Sequence, residues 1–392
     1  MRVIGMISGT SMDGITAALV DIEEDPHPSG PPPRISLVAQ QTVAYPDDVR
    51  RKLLAFPDAG TVEEICGLNF FIGELFARAA HEVATAAGSS MDEVDLIGSH
   101  GQTICHLPVG LSDDVSYSVP STLQIGELDV IAERTGVNTI GDFRPRDMAV
   151  GGEGAPLIPY VDHLLFSHAD RNRVLLNLGG IANVTYLPAG APLDAVSAFD
   201  TGPANMVMDG LIREITRGER SYDADGERAA QGQVHAELLD WMMEHPFILQ
   251  EPPKTTGRED FGDAYLAQVR DRAEQLGVGD ADQVATATEF TVASIRANCD
   301  RFLGPMDELI AAGGGSKNAT LMARLAVAFP DVEVSATDEL GIPAEAKEAV
   351  GFAIMAYQAW HRRPNNAPTA TGARKPVVMG KLAWGHNGRD NA

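Results

Sequence analysis

The stretch RVIGMISGTSMDGITAALVDI, residues 2–22, decides the fold, because a glycine-rich turn here separates two apolar runs. Residues 2–8 predict a buried strand, and residues 15–22 predict a second strand that follows directly. About 170 residues later the arrangement returns, with strands predicted at 173–178 and 181–187 around a Gly-Gly turn. The repeat predicts two duplicated α/β halves, although glycine between two strands is also the commonest hairpin device.

The rest of the chain alternates between strand-like and helix-like patterns. Thr61 and Glu64 have the spacing of a capping box and open a helix with apolar residues at helical period. Further strands are expected at residues 35–43, 94–99, 122–125, 137–143, 195–199, 308–312 and 376–382, and further helices at 282–302 and 344–361. No low-complexity linker separates the halves. We predict an N-terminal domain of residues 1–145 plus 373–392 and a C-terminal domain of residues 146–372.

The composition is that of an ordinary globular protein with a strong negative charge. The chain has 392 residues and a net charge of −25, which argues against a nucleic-acid partner. It has no run of 18 apolar residues, so no membrane partner is expected, and its N-terminus does not resemble a secretion signal. Three cysteines without a C-x-x-C pair fit a reducing cytoplasm, where we place the protein.

The first turn, residues 9–14, is expected to hold phosphate. Its glycines let backbone N–H groups approach an anion closely, and Thr10 and Ser11 can donate to phosphate oxygens. Asp13 could hold magnesium through a water molecule, since magnesium prefers carboxylates and retained waters, but a plain hairpin turn is the alternative. The nucleotide-binding residues expected here are Gly9, Thr10, Ser11, Met12, Asp13, Gly14, Ile15 and Thr16.

Two later glycine turns are expected to complete the nucleotide site. The turn NLGGIAN, residues 177–183, lies between apolar strands, and AGGGS, residues 312–316, follows a strand and precedes a helix. Bare glycines leave room there for phosphate and for a flat base and ribose. Ordinary tight turns explain each segment alone, and the P-loop sequence is absent. The expected contacts are Asn177, Gly179, Gly180, Gly313, Gly314 and Gly315.

The segment FDTGPANM, residues 199–206, contains the expected catalytic residue, Asp200. A carboxylate at the end of an apolar strand is a natural general base. The competing interpretation is a helix cap, because Asp, Thr and Gly before Pro203 are all favoured at a helix start.

Three further polar segments contain candidate ligand-binding side chains. GSHGQT contains His100, and GDFRPRD contains Arg144 and Arg146, a pair that can grip a carboxylate or phosphate bidentately. KTTGRE, which begins at Lys254, is a polar loop of similar type. A surface salt-bridge network is the alternative for each segment, and for the Lys254 loop we favour it slightly.

Together these motifs resemble the anhydro-N-acetylmuramic acid kinases, a family in the superfamily of actin, heat-shock chaperone ATPases and sugar kinases. The resemblance covers residues 3–382 and is carried by GMISGTSMDG, GSHGQT, TLQIGE, GDFRPRD, NLGGIAN, FDTGPAN, KTTGRE and GGGSKN. Thr16 stands where the family usually has Asp, and Ala204 replaces a common Gly. The resemblance implies an α/β fold of duplicated ribonuclease-H-like (actin-like ATPase) domains with the active-site cleft between them.

The resemblance also implies a kinase of cell-wall recycling that uses ATP and Mg²⁺ and acts on a small sugar. Water opens the 1,6-anhydro ring of anhydro-N-acetylmuramic acid at C1, while O6 takes the γ-phosphoryl group of ATP. The products are N-acetylmuramic acid 6-phosphate and ADP. Asp200 matches the general base of the family, and the expected substrate-binding residues are His100, Arg144, Arg146 and Glu348. We also expect a homodimer.

Two other functions are open at this point. A kinase for another anhydro sugar, such as levoglucosan, would need no cation in its sugar pocket, because that substrate lacks the lactyl carboxylate. An actin-like or chaperone-type ATPase would use nucleotide to change shape, but its partner-binding domain has no room in 392 residues.

Overall fold

The computed structural model describes residues 1–9, 12–23, 33–111 and 115–386. The chain forms two compact units: unit 1 is Met1–Leu165 with Gly341–Ala392, and unit 2 is Phe166–Leu340. The sequence places the domain boundaries elsewhere, at residues 145 and 372, and those boundaries remain a prediction.

Unit 1 contains a seven-stranded mixed sheet with the hydrogen-bonded order β12-β6-β4-β1-β2-β3, in which β5 pairs with β4. Its strands are β1 Arg2–Ser8, β2 Gly14–Glu23, β3 Arg34–Ala44, β4 Leu96–Leu107, β5 Ser121–Ile125, β6 Thr139–Gly141 and β12 Lys381–Ala383. The meander β1-β2-β3 is antiparallel, whereas β4 pairs parallel with both β1 and β6.

Unit 2 repeats this design with the five-stranded order β11-β10-β7-β8-β9. Its strands are β7 Arg173–Leu178, β8 Ile181–Leu187, β9 Ser197–Pro203, β10 Glu308–Ala312 and β11 Glu333–Ala336. Again the first three strands form an antiparallel meander, and β10 pairs parallel with both β7 and β11. Unit 1 thus contains the arrangement β3-β2-β1-β4-β6, and unit 2 contains the equivalent arrangement β9-β8-β7-β10-β11. Numbered within each unit, these five strands have the order 3-2-1-4-5 of a ribonuclease-H-like domain. The predicted α/β fold with duplicated halves is confirmed.

Helices cover the sheets and explain why the first strand is apolar on both faces. The helices are α1 Asp47–Ala59, α2 Val62–Ala86, α3 Leu128–Thr135, α4 Arg144–Ala149, α5 Ile158–Phe166, α6 Asn205–Ile215, α7 Glu227–Gln231, α8 Ala236–Met243, α9 Pro246–Leu249, α10 Arg258–Phe261, α11 Asp263–Leu276, α12 Asp280–Phe302, α13 Ala319–Ala328, α14 Lys347–Trp360 and α15 Pro368–Thr371. Ile4 and Met6 of β1 pack in one core with Phe76 of α2. On the other face, a Cβ at Gly5 or Gly98 would overlap the backbone of α14. These two glycines therefore let α14 lie directly on the sheet.

Most predicted elements are present, and the last predicted strand is mostly wrong. Helix α2 begins at the expected capping box of Thr61 and Glu64. Of the strand expected at residues 376–382, only Lys381 onwards pairs in the sheet. The preceding residues bond instead to side-chain amides: Val377 N donates to Asn366 Oδ1 and Met379 N to Asn365 Oδ1. Among the described residues, no helix has both the length and the apolar character needed to span a membrane.

Candidate active site

Asp200 lies on β9 of unit 2, half-buried, opposite Asn183 of β8. Its Oδ2 accepts hydrogen bonds from Thr255 Oγ1 and from the Thr256 backbone N–H, both at 2.9 Å. Burial raises the pKa of Asp200, and these two bonds together with the charge of Lys254 partly oppose the rise. A raised pKa increases the affinity of this carboxylate for a proton, as a general base requires.

Asp200 does not cap the helix that follows it, so the competing interpretation from the sequence is wrong. Helix α6 has Ala204 as its N-cap, and no side chain caps it. Ala204 has a negative φ of −101°, and its N–H donates to the Gly180 carbonyl. Alanine thus stands where the family commonly has glycine, at a position that does not require the left-handed φ that favours glycine.

The Lys254 loop is part of the Asp200 environment, whereas the sequence slightly favoured a surface salt-bridge network. Lys254 is 9% exposed, and its Nζ donates to the carbonyls of Phe247 at 3.1 Å and Ile248 at 3.4 Å. Nζ also lies 4.7 Å from the centroid of the Phe247 ring. Burial lowers the pKa of Lys254 to about 8. The sequence feature that could have indicated this environment is the run KTT, residues 254–256, because each of its three side chains can donate a hydrogen bond.

The second and third glycine turns lie side by side in unit 2. They follow β7 and β10, adjacent parallel strands whose carboxyl ends meet at one edge of the sheet. A Cβ at Gly313 would meet Leu178 O at 2.9 Å, and one at Gly315 would meet Asn205 Oδ1 at 3.0 Å. Gly313 has φ +82°, which also favours glycine. The carboxyl edge of parallel strands is the usual ligand site of α/β sheets.

The outward side of these turns is open. A Cβ at Gly314 would meet nothing within 4 Å, and one at Gly179 would make only ordinary contacts. The N-terminus of α6 is hydrogen-bonded to the second glycine turn, because Asn205 N donates to Gly179 O at 3.0 Å. Pro203 of β9 pairs with Ile181, so Asp200 lies near this same end of the sheet. The structure therefore brings together Asn177, the two glycine turns and Asp200.

The first turn, in unit 1, is closed by Met12 N donating to Gly9 O at 3.2 Å. Gln102 of the GSHGQT motif holds it from β4: Gln102 accepts from Ser8 Oγ at 2.5 Å and donates to Gly9 O at 3.4 Å. Met12 has φ +50°, a left-handed conformation that is uncommon for a residue with a side chain. Thr10 and Ser11 lie outside the described residues.

The remaining residues of the first turn differ in what they can offer a ligand. Asp13 is exposed, whereas the Ile15 side chain is fully buried in the core, so only its backbone could face a nucleotide. Gly14 lies against Val43 of β3, and Thr16 shares a hydroxyl hydrogen bond of 3.2 Å with Thr42.

Asp13 offers a carboxylate of the type that can hold Mg²⁺ through a retained water molecule. In the described part of the chain no three His, Cys, Asp or Glu side chains converge to form a complete metal cage. A single exposed carboxylate fits Mg²⁺ that keeps its waters and shares phosphate oxygens.

In unit 1 the buried side chain of His100 is hydrogen-bonded to half-buried Arg144. His100 is 4% exposed; its Nδ1 lies 3.1 Å from Gly101 O, and its Nε2 lies 3.0 Å from Arg144 Nε. The ring therefore donates at Nδ1 and accepts at Nε2, which requires a neutral imidazole. Burial and the charge of Arg144 lower the pKa of His100 to about 3, so it stays neutral. The buried ring orients Arg144, and the direct substrate contact expected of His100 remains a prediction.

Arg144 keeps donors available for a ligand. Its Nη1 bonds to Gly154 O at 3.3 Å, and among the described residues Nη2 has no acceptor. Burial lowers the pKa of Arg144 from its ordinary value, and the charge of Glu348 opposes this shift. Arg146 is exposed on the same short helix.

Glu348 lies in the first turn of α14. Its neighbour Lys347 forms a buried ion pair with Asp162 at 2.7 Å, which anchors this end of the helix. Glu348 itself reaches solvent, but surrounding protein atoms desolvate its carboxyl group and raise its pKa, while Lys347 and Arg144 oppose the rise. Arg144 and Glu348 thus carry opposite charges and lie close enough for each to shift the pKa of the other.

The sequence model of the anhydro-N-acetylmuramic acid kinase family matches residues 1–385. The chain belongs to this family. An anhydro-N-acetylmuramic acid kinase of Caldanaerobacter subterraneus subsp. tengcongensis is 44% identical over 386 residues, covering 97% of this chain and 96% of that protein. One from Bacillus cereus (strain G9842) is 42% identical over 391 residues, covering 98% of this chain and 99% of that protein. The resemblance found from the motifs is confirmed.

Proposed function

We propose that this protein is an anhydro-N-acetylmuramic acid kinase of peptidoglycan recycling. Water adds to C1 of the sugar, the C1–O6 bond breaks, and O6 takes the γ-phosphoryl group of ATP. The products are N-acetylmuramic acid 6-phosphate and ADP. The observation that carries the proposal is the Asp200 carboxylate, held through one oxygen near the open glycine turns in a chain of this family. The cytoplasmic location and the homodimer remain predictions.

Asp200 is the general base for the attacking water. Its Oδ2 is occupied by two donors, so Oδ1 is the oxygen that receives the proton of water as the C1–O bond forms. The raised pKa of Asp200 increases its affinity for that proton.

The glycine turns are the nucleotide site of the proposal. Gly314 and Gly179 give the phosphates and ribose access to backbone N–H groups, and Asn177 lies beside them. Asp13 would hold magnesium through water, and the ion would supply neutralisation of the phosphate charge. In this proposal Arg144 binds the anhydro sugar, and Arg146 and Glu348 also contact it. Positioning and charge neutralisation by these groups are what phosphoryl transfer requires.

The proposal is tested by ADP release from ATP with three sugars measured side by side: anhydro-N-acetylmuramic acid, levoglucosan and glucose. We expect the highest kcat/KM with anhydro-N-acetylmuramic acid and the formation of its 6-phosphate. A higher value with levoglucosan would assign the protein to another anhydro sugar. Slow ATP hydrolysis that no sugar changes would favour an ATPase that switches shape.

The nucleotide site is tested by Gly314→Val. Because a side chain at Gly314 meets open space, the variant should keep the melting temperature of the free protein. The branched side chain fills the approach to the backbone, so ATP affinity measured by calorimetry should fall about tenfold, a loss of about 1.4 kcal/mol.

Gly279→Val is the matched control for Gly314→Val. Gly279 is the N-cap of α12 with φ −72°, and a Cβ there meets only Asp282 Oδ2 at 4.0 Å. Valine is a poorer N-cap than glycine, so the melting temperature should fall slightly, but the ATP affinity should equal that of the wild type. Unchanged ATP affinity in Gly314→Val would make the third glycine turn a purely structural one.

A further inference from the structure

Within the described part of the chain, only one of the two carboxylate oxygens of Asp200 accepts hydrogen bonds. Thr255 Oγ1 and the Thr256 N–H both donate to Oδ2, and no described residue donates to Oδ1. Hydrogen bonds to an ionised carboxylate stabilise the charged form. Residues 255–256 therefore oppose the rise in pKa that burial causes, and they leave Oδ1 as the carboxylate oxygen with no donor among the described residues.

This loop is fixed to β9 by several further contacts. Asp200 N donates to Lys254 O at 3.2 Å, so β9 donates a hydrogen bond to the loop and also accepts hydrogen bonds from it. Buried Lys254 anchors one end of the loop, and Thr256 Oγ1 donates to Asp260 Oδ2 at 2.6 Å at the other. The donors thus have a fixed geometry toward the carboxylate.

The charges around Asp200 are few and come mainly from this same segment. Lys254 favours the carboxylate, and Glu259 opposes it. The α12 residues bonded to or lying against β9 are neutral, namely Thr291, Ser294 and Asn298, and the partner on β8, Asn183, is neutral as well. Three further titratable groups lie around the loop itself: Asp260 accepts a hydrogen bond from Thr256 Oγ1, Arg301 lowers the pKa of Lys254, and His245 caps α9. A change in the Thr255 hydrogen bond should therefore be visible in the titration of Asp200.

We propose that Thr255 is a positioning residue that holds Asp200 through Oδ2 and reserves Oδ1 for the attacking water. The proposal rests on the proposed role of Asp200 as base. No motif interpretation from the sequence assigns this role, because Thr255 and Asp200 are 55 residues apart along the chain.

Thr255→Val and Thr255→Ser, measured across pH, test the proposal. Valine keeps the shape but removes the donor to the charged form, so the pKa of Asp200 rises. Because the base acts when ionised, the acid limb of kcat/KM should move to higher pH. On that limb kcat/KM should fall about three- to tenfold, a modest effect because Thr255 is exposed and water replaces part of its bond. Thr255→Ser retains the donor and should follow the wild-type profile.

The outcomes separate this inference from the proposed function. An acid limb in Thr255→Val that coincides with the wild type would overturn the positioning role, and so would an equal shift in Thr255→Ser. Melting temperatures of both variants should equal that of the wild type, since the side chain is exposed. An NMR titration of the Asp200 carboxyl carbon gives the same comparison without activity. Near-normal activity of Asp200→Asn would instead remove the base assignment itself.

Discussion

Replacing Asp200 with asparagine is expected to lower turnover by about 10² to 10⁴-fold, the usual loss for a missing general base. Asparagine keeps the volume of the side chain, and its amide oxygen can still accept from Thr255 and Thr256. The neutral amide, however, cannot take the proton of the attacking water. Affinity for ATP should change little, because the open glycine turns follow other strands, β7 and β10.

The measurement is kcat at saturating ATP and sugar, with ATP affinity determined separately by calorimetry. Asp194→Asn is the matched control, since Asp194 is an exposed aspartate in the short 3-10 turn just before β9. That variant should have wild-type turnover. Turnover of Asp200→Asn close to that of the control would show that the carboxylate is not the base.

A strand was predictable from the sequence where an apolar run bounded by turn residues also pairs with a neighbouring strand in the fold. Strands β7, β8 and β10 have the bounds expected from the sequence, because each is a short, mainly apolar run ended by glycine or proline. The late strand was not predictable, because its backbone donors bond to Asn365 and Asn366 instead of a neighbouring strand. Nothing in an apolar run reveals that competing side-chain amides will occupy its hydrogen bonds.

Single candidate residues of the site were predictable, whereas their partners were not. Asp200 stands out by its place after an apolar strand, but its donors come from residues 255–256. His100 was expected at the substrate, yet its ring is buried and accepts from Arg144, 44 residues away. Such contacts depend on which strands become neighbours, and that information lies in the tertiary packing.

Arg144→Ala is expected to change the choice of substrate as well as the rate. Its kcat/KM for anhydro-N-acetylmuramic acid should fall roughly ten- to a hundredfold, the equivalent of the 1.5 to 3 kcal/mol typical of a hydrogen bond to a charged group. A protein of net charge −25 attracts no carboxylate at long range, and salt screens charges beyond about 8 Å. Binding of the lactyl carboxylate therefore needs a local cation. Arg144 is oriented by His100 and keeps Nη2 without an acceptor among the described residues.

A neutral anhydro sugar such as levoglucosan supplies the internal comparison, because it brings no charge to the guanidinium. Its kcat/KM should hardly change in Arg144→Ala. Arg146→Ala removes the same charge from the exposed position of the same helix, and a selective loss there instead would exchange the roles of the two arginines. Arg78→Ala, in an exposed pair with Glu82 on α2, controls for the overall loss of positive charge. Equal losses on both sugars in Arg144→Ala would mean that this arginine supports the fold of unit 1, since its contacts to His100 and Gly154 join β4, α4 and the loop that follows.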